Sequence, residues 1–325
     1  MTPRIVVVGS ANVDLTTFAD QMPRPGETIF AQGFELGFGG KGANQAFAAR
    51  RCGAEVAMVA RVGADLFGPA TIENFRAQNI DTTCVFSTPD VSSGVAPIFV
   101  DSSGQNRILV AKGANDALTS GDVEAATDLI RKADFVLLQL EIPLETVYFT
   151  LRLAKTLGAR TILNPAPAQP LDFAELSHVD FVIPNETEAE VLAGVRMQSA
   201  DDARLCAQQL LENGVRRVIV TLGSNGSLYA SRNTMDHVPA HPARPVDTTG
   251  AGDAFIGSLA CFLAEGYEEL AAVARANVYA ALSTLSAGTQ KSFPTRERFE
   301  AEWARAAVNF RAASFRHHAT PPCSD

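Results

Sequence analysis

The residues best suited to chemistry stand late in the chain, in Asp247-Thr-Thr-Gly-Ala-Gly-Asp-Ala-Phe255. This glycine turn runs into residues 254–263, apolar on nearly every side. Such a helix is expected to be buried, with its N-terminus inside the protein. The free N–H groups of Gly250, Ala251 and Gly252 then need an acceptor other than water, and an anion suits both the donors and the helix dipole. Asp253 falls in the first turn. It either caps its own helix or accepts a hydroxyl proton beside an anion hole holding a phosphoryl group in transit. The helix N-terminus is expected to keep it ionised and only weakly basic. Weak basicity suffices for phosphoryl transfer, which asks mostly for positioning and charge neutralisation.

A second cluster, Gly37-Phe-Gly-Gly-Lys-Gly42, formally matches G-x-G-x-x-G, and a strand over 55–62 with Asp65 beyond it imitates the acidic residue of a dinucleotide fold. The segment before it does not read as the first strand of a βαβ unit, and Lys41 stands where a pyrophosphate would approach. It fails as a P-loop as well, because Gly42 replaces the required Ser or Thr. A close backbone approach and a helix start remain, fit for a small polyol or an anion, with a plain tight turn as the alternative.

The elements that must position these clusters read as α/β. From Asp134 onward, strand-like runs at 135–140, 161–163, 181–183 and 218–221 alternate with helical periodicity at 144–157 and 201–213, so a mainly parallel sheet flanked by helices is expected. Polar residues gather at strand ends: Asn12 and Asp14 after the first, Gln139 and Glu141 after another, then Asn164, Asn185 and Thr221. Open parallel sheets bind ligands beyond those ends. Residues 27–36 and 94–111 break the alternation and suggest a small separate sheet, either a flap or an extension of the main sheet, with Pro97 tolerable at an edge.

With 27 basic and 36 acidic residues the net charge is −9, which argues against a general nucleic-acid binder. No stretch reaches the roughly 18 apolar residues of a membrane span. The apolar run at residues 5–8 is shorter than the core of a secretory leader, so a cytoplasmic location is expected. The five cysteines are scattered and suggest neither disulfides nor zinc. Pro239 between His237 and His241 argues against a metal pair, and 316–325 reads as a frayed tail.

Taken with Asn164-Pro-Ala-Pro-Ala168, Pro184-Asn-Glu-Thr-Glu-Ala-Glu190 and Thr221-Leu-Gly-Ser224, the two clusters resemble the ribokinase-like carbohydrate kinase family, in one order from about residue 5 to residue 294. The resemblance implies a kinase core (1–12, 39–91 and 112–315) under a β lid (13–38 and 92–111). It implies transfer of the γ-phosphate of ATP to the 5-hydroxyl of D-ribose, with fructose, 2-keto-3-deoxygluconate or a nucleoside as alternative acceptors. By matching position, Asp253 is similar to the catalytic base and Gly250, Ala251 and Gly252 to the anion hole. Asn12, Asp14, Gly40, Lys41, Asn44 and Glu141 match sugar contacts. Asn185 and Glu188 match positions that organise Mg2+ through water, and Thr221, Gly223, Gly226 and Asn277 match nucleotide positions. Asp247, Thr249, Ser286, Gly288 and Ser292 match a K+ site, where Lys291 is an unexpected neighbour. A homodimer joined through the lid is also implied. An NAD-dependent oxidoreductase built on 37–42, or a sensor without turnover, would leave Asp253 without a task.

Overall fold

The computed structural model describes residues 2–314; the expected tail, 316–325, lies outside the described residues. In chain order the strands are β1 (Arg4–Val8), β2 (Asn12–Phe18), β3 (Gly33–Gly39), β4 (Glu55–Gly63), β5 (Asp81–Thr88), β6 (Gly94–Val100), β7 (Asn106–Ile108), β8 (Phe135–Leu138), β9 (Arg160–Leu163), β10 (Phe181–Val182), β11 (Arg217–Thr221), β12 (Ser227–Ser231) and β13 (Met235–Val238). Nine of them form one sheet, in the order β13-β12-β11-β10-β9-β8-β1-β4-β5. From β5 to β11 neighbours run parallel, and β12 and β13 add an antiparallel edge. The inner strands carry Val, Ile and Leu on both faces because helices cover both faces. Chain order reverses about β1, which lies between β8 and β4. At such a switch point the connections leave in opposite directions and open a crevice beyond the strand ends.

The four remaining strands make the small sheet, ordered β3-β2-β6-β7. The flap reading, not an extension of the main sheet, is therefore correct. Two local expectations need correction. The strand expected over 27–36 begins only at Gly33, after a segment in which Phe30 is wholly exposed and has nothing to pair with. Pro97 is not on an edge, since β6 lies between β2 and β7. Leu109 donates its N–H to the Pro97 carbonyl at 3.1 Å, but proline has no N–H to return, and β7 ends at Ile108.

Because β3 pairs antiparallel with β2 inside this small sheet, Gly37–Gly42 does not follow the first strand of a βαβ unit. The dinucleotide imitation fails at Asp65 too. Its carboxylate accepts the Phe67, Gly68 and Ser93 amides and the Ser93 hydroxyl, tying a core loop to the start of the lid segment.

The helices Lys41–Cys52 and Ala251–Ala264 pack on one face of the large sheet. Their approach is close because Gly257 has no side chain; a Cβ there would meet the Gln45 carbonyl and the Ala48 side chain. No helix among the described residues is long and apolar enough to cross a membrane.

Candidate active site

The helix Ala251–Ala264 starts from Gly250, whose φ of 77° is left-handed and whose missing side chain leaves room for the Thr289 methyl. From Asp253 to Leu263 every residue is buried. The close helix crossing brings Asn44 and Gln45 to Asp253. Asn44 donates its amide to Oδ2 at 3.0 Å, and Gln45 donates to Oδ1 at 3.1 Å. Burial pushes the Asp253 carboxyl above its ordinary range, and the pull of Lys41, Asn44 and Gln45 does not cancel it. Desolvation thus outweighs the donors, opposite in direction to the weak basicity expected of Asp253.

The anion hole also differs from expectation. The Ala251 N–H turns back to the Thr248 carbonyl at 3.2 Å, so it is not free. Gly250 and Gly252 have no protein acceptor for their N–H groups among the described residues. The helix is buried from Asp253 on, yet its first two residues are not: Ala251 is half-buried and Gly252 exposed, beside a cavity of about 170 Å³ lined by Lys41, Asn185, Glu188, Thr221 and Asp253. Burial alone would lower the Lys41 pKa, but Asp253, Glu141 and Glu188 raise it overall and hold the ammonium charged. A cation, two open amides and a helix dipole therefore face one small cavity, an arrangement that neutralises a phosphoryl group.

Across the switch point, Glu141 accepts from the Ser10 hydroxyl and, at 3.0 Å, from the Lys41 amide. Asn12 is held by Asn115, whose Nδ2 donates to Asn12 Oδ1 at 2.7 Å while its Oδ1 accepts the Ala11 amide at 2.9 Å. Gly40, at φ 89°, lies so close to Ala11 and the Asn12 amide that no side chain would fit. Asp14 reaches into a second, larger cavity of about 670 Å³ between the small sheet and the core, which also meets Phe38, Asn74, Thr249, Gln290 and Lys291. Burial, then the neighbouring Glu141 carboxylate, pushes Asp14 up to about 6. Sequence reasoning gave no role to Asn115, Gln45 or Gln290, and counted Gln139 only among the polar residues at strand ends. Gln45, three residues past the Gly-Lys-Gly motif, was a visible signal; Asn115 and Gln290 had none.

With this geometry in place, comparison with known proteins decides the family. The pfkB family carbohydrate kinase model matches residues 2–296. The chain belongs to the pfkB family of carbohydrate kinases. A deoxyribokinase of Salmonella typhimurium is 44% identical over 296 residues, spanning 91% of this chain and 97% of that one. A ribokinase of Bacillus subtilis is 39% identical over 296 residues, 91% of this chain and 98% of its own. The structure of Arabidopsis thaliana ribokinase complexed with ribose and ATP has a TM-score of 0.86 at 31% identity, covering 93% of this chain and 98% of that one. This carbohydrate kinase has the ribokinase-like fold, and an oxidoreductase built on Gly37–Gly42 is ruled out.

In the kinase, Asn185 and Glu188 form a capping box: Glu188 accepts the Asn185 amide at 2.9 Å and its side-chain N–H at 3.0 Å, and Asn185 Oδ1 accepts the Glu188 amide at 2.9 Å. Both Glu188 oxygens already have donors, which fits a hydrated Mg2+ better than a directly ligated one. Thr221 lines the small cavity, and the left-handed Gly223 and Gly226 follow it in the turn to β12. Asn277 does not line that cavity; it is buried, with its amide donating to Ser227, Val238 and Pro239.

Asp247 draws the two expected cation segments together. Its carboxylate accepts the Thr249 amide and the Gly288 amide, both at 2.9 Å, and these donors hold it below the usual range against the effect of burial. The carboxylate is a hard oxygen donor, and both of its oxygens already accept peptide N–H groups. Ser292 is turned to the Thr289 carbonyl and Ser286 is exposed. Lys291 crosses Gly288 and pairs with Glu35 of β3 at 3.4 Å, so its charge points to the lid.

Proposed function

We propose that the protein phosphorylates the 5-hydroxyl of D-ribose with the γ-phosphate of ATP. The observation that carries this reading is the Asp253 carboxylate, buried and fixed by Asn44 and Gln45 beside the open Gly250 and Gly252 amides. Asp253 takes the hydroxyl proton as the oxygen attacks phosphorus. The two amides, with Lys41, neutralise the migrating phosphoryl oxygens. Asn12, Asp14, Gly40, Lys41, Asn44 and Glu141 surround the sugar; hydroxyl-rich ligands need carboxylate and amide partners on rigid elements. Asn185 and Glu188 would hold a hydrated Mg2+, which would supply positive charge on the phosphates, and Thr221, Gly223 and Gly226 border the nucleotide. Asp247 with the Thr249, Ser286, Gly288 and Ser292 segment would hold K+.

The 44% identity with a deoxyribokinase favours 2-deoxy-D-ribose as a second acceptor. Coupled ADP-release assays on D-ribose, 2-deoxy-D-ribose, fructose, 2-keto-3-deoxygluconate and nucleosides, with and without K+, test both readings. Asp253→Asn is expected to fold and bind ATP while losing most turnover, and undiminished turnover refutes the assignment of the base. The lid strands β3 and β7 expose Phe34, Leu36 and Ile108, followed by Leu109 and Val110. This apolar rim supports a homodimer through the lid. Four buried free thiols among the described residues support the reducing cytoplasm as its location.

A further inference from the structure

An ordered set of amides converges on Asp253. An ionised carboxylate only accepts, so the Asn44 and Gln45 side chains must turn their N–H2 groups toward it. Their carbonyl oxygens then face away and require donors of their own. Gln290 provides one, donating Nε2–H to Asn44 Oδ1 at 3.2 Å, and Gln139 provides the other, donating to Gln45 Oε1 at 2.7 Å. On the first arm the order continues outward, with Asn74 Nδ2 donating to Gln290 Oε1 at 3.0 Å. Gln45 Nε2 also reaches Asn164 Oδ1 at 3.4 Å. Donors thus run Asn74 to Gln290 to Asn44 to Asp253 on one side, and Gln139 to Gln45 to Asp253 on the other.

The second arm ends abruptly. Gln139 is fully buried and its Oε1 has no partner, a state that is ordinarily destabilising. The unpartnered oxygen fits only because Gly9 lacks a side chain; a Cβ there would fall on it. Turning the Gln139 amide over would leave Gln45 Oε1 facing another oxygen, so the polarity toward Asp253 is kept at the expense of this orphan.

Resting on the assignment of Asp253 as the base, we propose that Gln290 and Gln139 are positioning residues for it. Each locks the orientation of the amide that holds one Asp253 oxygen. Gln290 sits in the loop carrying Gly288 and Ser292, so the loop that faces the cation is also hydrogen-bonded, through Asn44, to the base. Gln139 is fully buried, and Gln290, though it also lines the larger cavity, acts on the base through Asn44.

The test measures kcat, KM for D-ribose and for ATP, and melting temperature in Gln290→Leu, Gln290→Glu and Asp253→Asn, side by side with the parent. Gln290→Leu is expected to lower kcat about ten- to a hundredfold, as losses of outer orienting partners do, with the ATP KM and the melting temperature little changed. Gln290→Glu keeps the shape but loses the N–H2, so it is expected to be at least as slow; a residue needed only for packing would tolerate it better than leucine. Parental kcat in Gln290→Leu, or clearly faster turnover in Gln290→Glu than in Gln290→Leu, overturns the proposal. If neither Gln290 variant folds, Asn74→Ala at the half-buried outer end carries the test: several-fold slower turnover supports the relay, and a parental rate overturns it. Full activity in Asp253→Asn removes the base itself, whereas an inactive Asp253→Asn beside a parental Gln290→Leu removes only the relay.

Discussion

Replacing Asp14 by asparagine should stabilise the kinase and weaken its sugar binding together. No donor among the described residues reaches the Asp14 carboxylate, and burial followed by Glu141 holds its pKa at about 6 against an ordinary 3.8. A group raised in the folded state contributes stability that is complete below its unfolded pKa and lost as pH rises through the folded one. For Asp14 the window runs from about pH 4 to just above pH 6. At about 1.4 kcal/mol per pKa unit the loss approaches roughly 3 kcal/mol, less whatever solvent screening removes. The substituted amide would resemble the protonated acid without titrating, so Asp14→Asn should match the parent near pH 4 and exceed it increasingly up to about pH 7. Losing a charged acceptor for a sugar hydroxyl should raise the sugar KM about tenfold or more. Urea unfolding at intervals from pH 4 to pH 8, with sugar KM measured at the neutral end, tests both halves. A stability difference that does not change with pH would refute the reasoning.

Two other perturbations probe the anion hole and the lid. Gly250→Ala places a side chain on Thr289 at a left-handed residue; it should cost about 1–2 kcal/mol and, by shifting the open amides, lower kcat about a hundredfold for every acceptor, and a parental kcat in steady-state assays would remove these amides from the mechanism. Leu36→Asp places a charge in the exposed apolar rim of the lid. Sedimentation should show a dimeric parent and a monomeric variant at micromolar concentration, while a monomeric parent contradicts assembly through the lid.

Much of the architecture was legible in local pattern. Strand periodicity located β4, β8, β9, β10 and β11 to within two residues, but β5, β12 and β13 of the same sheet were not read. The left-handed Gly158 does end the helix Leu144–Leu157. The motif Asp247–Phe255 announced a helix start fit for an anion because glycine conformation and apolar content belong to neighbouring residues. The 27–36 segment misled, since an apolar Phe30 reads as a strand residue whether or not a partner strand lies beside it.

What the sequence alone determined was therefore the α/β alternation and the residue types at the strand ends, while the separation of the small sheet was decided by the fold. Only the folded chain decided which amides stay open, how strongly Asp253 and Asp14 are desolvated, and that Gln290 bonds to Asn44 across 246 positions of sequence. Periodicity and turn chemistry act over a few residues and leave a readable trace. Burial, and the choice of partner by an amide that can face either way, depend on surfaces brought together from distant parts of the chain, so no local pattern records them.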